Sequence, residues 1–71
     1  MKIPKELMFE YLLSLENYNE SHPTLKDITM KEALDIQKKI IELGFTDKDI
    51  VNMKSEELIS EYKMWRKETG Q

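Results

Sequence analysis

The 71-residue sequence contains no cysteine, two glycines, two prolines, one histidine and one arginine, and each scarcity removes a class of activity. Without cysteine there is neither a disulfide framework nor a thiolate metal site. Two isolated glycines do not build a phosphate-cradling loop. The single histidine, His22, precedes Pro23 in a turn, with no carboxylate at ligand spacing and no serine in a nucleophile arrangement, and reads as a solvated turn residue. No apolar run approaches the ~20 residues of a membrane span. The stretch MKIPKELMFEYLLSLE is interrupted by Glu6, Glu10 and Glu16 and does not read as a signal peptide. The chain is therefore expected to be cytoplasmic, which leaves the acceptor triplet Asn19-Glu20-Ser21 without consequence.

Size and charge narrow the field further. A chain of this length is expected to form one helical domain, residues 1–71, with a small core and no deep enzyme cleft. Eleven basic residues stand against 14 acidic ones, a net charge of −3. That balance weighs against a protein whose affinity comes from neutralising phosphates, because such proteins concentrate Lys and Arg and favour arginine for bidentate contacts. Lysine in place of arginine, with abundant Ile, Asn and Glu, is also what AT-rich coding produces, and it points to a low-GC bacterium or one of its phages.

The apolar residues that are present fall at helical spacing. From about Lys5 to Tyr18, Leu7, Met8, Tyr11, Leu12, Leu15 and Tyr18 share one broad arc, with Pro4 suited to the first turn. Phe9 and Leu13 lie outside that arc, beside the polar side formed by Glu10, Glu16 and Asn17. The stretch NYNESHP ends this helix near Asn19. Thr24 and Asp27 have capping-box spacing and predict a single turn from Thr24 to Ile28. Thr29 and Glu32 repeat the box and predict the start of a second long helix. Its apolar half is Met30, Ala33, Leu34, Ile36, Ile40, Ile41 and Leu43, and its charged half holds Lys31, Asp35, Lys38, Lys39 and Glu42. Gly44 stands where a left-handed terminating residue belongs, with Phe45 placed to pack back on the last turn. Thr46 and Ser55 are candidate caps for a short helix and a final long one, each with acidic residues in its first turn. The final helix sets Leu58, Tyr62 and Trp65 at core spacing, with Ile59 beside them and Met64 off the stripe.

Two motif readings of IIELGFTDKDIVNM, residues 40–53, fail on chemistry. Counted from Asp47, the fifth, sixth and twelfth places of a calcium loop hold Val51, Asn52 and Leu58, where an oxygen ligand, a glycine and a glutamate are needed. As a helix-turn-helix, the recognition helix would open on Glu56 and Glu57, which repel the DNA backbone. The stretch is a helix stop followed by a capped helix start.

An earlier run, HPTLKDIT (residues 22–29), lies after a long first helix and before a helix ending IIELGF. It resembles the first three helices of bacterial winged-helix domains over Leu7 to Phe45. The resemblance implies DNA binding, here through Lys31, Lys38 and Lys39. The chain departs from that pattern in two places. The stretch from Ile28 to Gly44 is short for a supporting helix, turn and recognition helix, and helix rather than a β-hairpin wing is expected after Phe45.

The expected fold is all-α, a small, compact, orthogonal bundle of three main helices plus one or two short helical turns. Its core is expected around Leu12, Leu15, Ile36, Ile40, Phe45, Ile50, Leu58, Tyr62 and Trp65. No residue pattern supports catalysis, a metal or a cofactor. The surplus of large apolar side chains predicts a protein-binding module acting through an apolar helix surface on a larger protein or on a second copy of itself, with Phe9, Leu13 and Met64 as contact residues. A small DNA-binding regulator is the alternative.

Overall fold

A computed structural model describes residues 2–70. Its elements are four α-helices, α1 (Lys5–Glu20), α2 (Lys26–Glu42), α3 (Asp47–Met53) and α4 (Glu56–Thr69), with a 3-10 turn, Pro23–Leu25, ahead of α2. No strand occurs among the described residues, and the fold is a small all-α bundle, as expected.

The helix boundaries after residue 40 follow from local hydrogen bonding. Gly44 has φ +100°, its N–H donates to the Ile41 carbonyl (2.9 Å), and the Phe45 N–H donates to the Ile40 carbonyl (3.4 Å). This is the paired termination of a Schellman motif, and its accompanying apolar contact is supplied by Phe45 and Ile40, both in the core. Thr46 and Asp49 form a reciprocal capping box. The Asp49 N–H donates to Thr46 Oγ1 (3.3 Å) and the Thr46 N–H donates to Asp49 Oδ2 (2.8 Å). Ser55 Oγ accepts from the Leu58 N–H at 3.1 Å and opens α4.

The start of α2 differs from the expected one. Neither the Thr24/Asp27 box nor the Thr29/Glu32 box forms; α2 runs without a break from Lys26, and Thr29 lies inside it. Thr29 Oγ1 donates to the Leu25 and Lys26 carbonyls (3.1 and 3.2 Å) and shares a hydrogen bond with Ser21 Oγ (3.1 Å). The 3-10 turn is capped instead by the His22 ring, which accepts from the Thr24 N–H. Pro23 supplies a helical φ at the turn's first position, so helix geometry is already established by Lys26 and needs no second start.

The core is centred on α1. This helix packs most extensively on α2 and less so on α4. Ile3, Met8, Phe9, Tyr11, Ile40, Phe45, Ile50, Leu58 and Tyr62 form the buried cluster, with Leu7, Leu12, Leu13, Leu15, Ile36, Met53 and Trp65 half-buried against it. Of the expected core, Ile40, Phe45, Ile50, Leu58 and Tyr62 are buried, whereas Leu12, Leu15, Ile36 and Trp65 sit at its margin. Two small residues, Ser14 on α1 and Ala33 on α2, are also buried, and small side chains let the paired helices approach closely. The Ser14 hydroxyl donates to the Tyr11 carbonyl (2.6 Å), so no polar atom is stranded there. Two ion pairs tie α1 to α4: Lys5 with Glu61 (3.0 Å) and Glu16 with Arg66. The Cα envelope is only 17 Å in its thinnest direction, against 38 and 27 Å in the others. With side chains a helix is about 10–12 Å across, so this thickness leaves no helix enclosed on all sides.

Candidate interaction surface

Of the three expected contact residues, Phe9 belongs elsewhere. It is 7% exposed, and its ring lies among those of Tyr62 and Trp65, with centroids 6.1 and 5.5 Å away. Its place off the main apolar arc of α1 reflects a second covered side of that helix, where α4 packs. The expectation of an outward Phe9 is thereby corrected. Leu13 is half-buried and lines a shallow groove of about 350 Å³ between α1 and α2, with Glu10, Ser14, Asn17, Glu32, Ile36 and Lys39. Met64 is 63% exposed on α4. The residues one turn away from it are Ser60, Glu61, Lys67 and Glu68, so it stands alone among polar neighbours. These three residues do not compose one surface.

Exposed apolar side chains occur on several elements, among them Val51 on α3 and Ile59 on α4, and three of them are aligned on α2. Met30, Leu34 and Ile41 are 45%, 54% and 46% exposed. Together with Gln37 they recur at i, i+4, i+7 and i+11, the spacing of a helix-pairing seam. A helix turns about 100° per residue. On that basis the stripe lies roughly 100° around α2 from the buried side made by Ala33, Ile36 and Ile40. Both sets belong to the apolar half seen in the sequence, but α1 covers only one of them. The stripe could have been found from the width of that half, which exceeds what one partner helix buries.

Polar groups fix the edges of the stripe. The Gln37 side-chain amide donates to Asp47 Oδ1 at 3.0 Å, tying the seam to the first turn of α3. On the outer flank stand Lys31 and Lys38, seven residues apart and so on nearly the same face, both exposed. The two ion pairs among the described residues are Lys5–Glu61 and Glu16–Arg66, and neither Lys31 nor Lys38 takes part. Lys39 is also exposed, but it is turned about 100° from Lys38 and lines the groove that holds Leu13. The lysines named as candidate DNA contacts thus divide between two faces. Nor does the chain have the separate supporting and recognition helices of a winged helix, since residues 26–42 are one continuous helix.

A second concavity, of about 360 Å³, lies between the N-terminal segment, α3 and α4. Ile3, Phe45, Met53 and Leu58 contribute apolar lining, and Lys2, Lys5, Asp49, Glu57 and Glu61 contribute charge. Its charges are mixed, and Lys5 and Glu61 already satisfy each other. Among the described residues no cluster of three or more His, Asp or Glu side chains is arranged to hold a metal ion. His22 is engaged locally, its Nδ1 lying 2.9 Å from Thr24 Oγ1.

Burial shifts two groups. The Tyr11 hydroxyl is pushed above its usual value of 10.0 by desolvation first and by the Asp47 carboxylate second. Tyr62 is raised likewise by desolvation and then by Glu16, with Arg66 opposing. Both are structural phenols that stay neutral through physiological pH.

No protein-family model, curated protein or solved structure was found to match this chain. No helix of the described residues is long and apolar enough to cross a membrane.

Proposed function

We propose that this chain is a non-enzymatic protein-binding module, a cytoplasmic regulator, inhibitor or adaptor that works by laying one helix face against another protein chain. The observation that carries the reading is the α2 stripe of Met30, Leu34 and Ile41. Three large apolar side chains at seam spacing are left half-exposed on a helix that is packed against α1 only along the neighbouring side of Ala33, Ile36 and Ile40. Scattered single hydrophobics need no explanation, but an aligned set on one face is the form that helix-in-groove and helix-to-helix recognition takes. The area is one helix face, short of the ~800 Å² per partner of a standard stable interface. The association is therefore of the exchangeable, regulatory kind.

The test is a tagged chain used as bait in its host, beside Leu34→Ser and Ile41→Ser baits. Loss of a specific partner from both variants, with helical content and melting temperature unchanged, supports the reading. An unchanged partner set in both removes the α2 stripe as the binding face.

The same helix supports the DNA-binding alternative only through Lys31 and Lys38, which are exposed and interspersed with Asp27, Asp35 and Glu42 on the same side of α2. Submicromolar binding to duplex DNA with a steep salt slope would favour it, and no binding at low salt would end it.

A further inference from the structure

We draw no further inference here: the strongest candidate, the exposed Met30, Leu34 and Ile41 stripe on α2, belongs to the surface already described, and with Asp27, Asp35 and Glu42 interspersed among its flanking lysines nothing in the structure shows what covers it.

Discussion

Phe9 on α1 and Trp65 on α4 hold their ring centroids 5.5 Å apart with 32° between the ring planes, and Tyr62 completes the cluster. Tilted aromatic pairs at this separation contribute beyond the area they bury. They are the main apolar link between two helices whose backbones otherwise approach closely at few points. Phe9→Ala is therefore expected to cost about 3–5 kcal/mol and to leave the variant largely unfolded, whereas Phe9→Leu should remain folded. Urea titration followed by Trp65 fluorescence reads both.

The stripe and the core of α2 should separate cleanly under substitution. Ile40 is fully buried, and Ile40→Ala is expected to cost about 2–5 kcal/mol. Leu34→Ser, on the exposed side, should change stability by about 0.5 kcal/mol or less while abolishing partner capture. Thermal melts of the two variants side by side decide whether the two faces of α2 have the separate roles assigned to them.

Tyr62 is 3% exposed, and its hydroxyl makes no well-formed hydrogen bond. Glu16 and Arg66 are the polar neighbours close enough to influence its ionisation, but they bond to each other. Removing an unsatisfied buried hydroxyl is nearly neutral or stabilising, so Tyr62→Phe should melt at or above the temperature of the parent. The pH dependence follows from the same burial. Tyr11 and Tyr62 both have folded-state values above 10.0, and the charged form is the phenolate that only the unfolded chain readily adopts. Their contribution is complete below pH 10 and declines as pH rises through the folded values. The Tyr11→Phe/Tyr62→Phe variant should show a shallower alkaline limb in a stability–pH profile.

At Gly44, φ is +100° and a Cβ built there meets nothing within 4 Å. The cost of Gly44→Ala is then backbone strain alone, about 1–2 kcal/mol, and Gly44→Asn should recover part of it. Chemical denaturation of the two variants measures the difference. A cost near zero would mean that the turn adopts another conformation.

Caps and a would-be cap should behave differently. Thr46→Ala and Ser55→Ala each remove a side-chain bond to an orphan N–H and are expected to cost about 1 kcal/mol. Thr29 has the same spacing to an acidic residue but lies inside α2. Thr29→Ala gains helix propensity while losing its bond to Ser21, and should stay within about 0.5 kcal/mol of the parent. Circular dichroism melts of the three variants check the ranking.

What the sequence determined is local. The stop at Gly44, the caps at Thr46 and Ser55 and the apolar spacing of each helix depend on side chains within a few residues of the backbone groups they serve, so they were legible from the order of residues. The start of α2 was misplaced because Pro23 and the His22 ring establish helical geometry before the capping spacings at Thr24 and Thr29 can act. The tertiary structure alone decided which apolar residues are covered. Phe9 lies off the main arc of α1 yet is buried, because α4 arrives from that side. Leu34 lies within the apolar half of α2 yet is exposed, because α1 covers only the other part of that half. A helical wheel records angles on one helix, whereas burial depends on where the other helices stand around it.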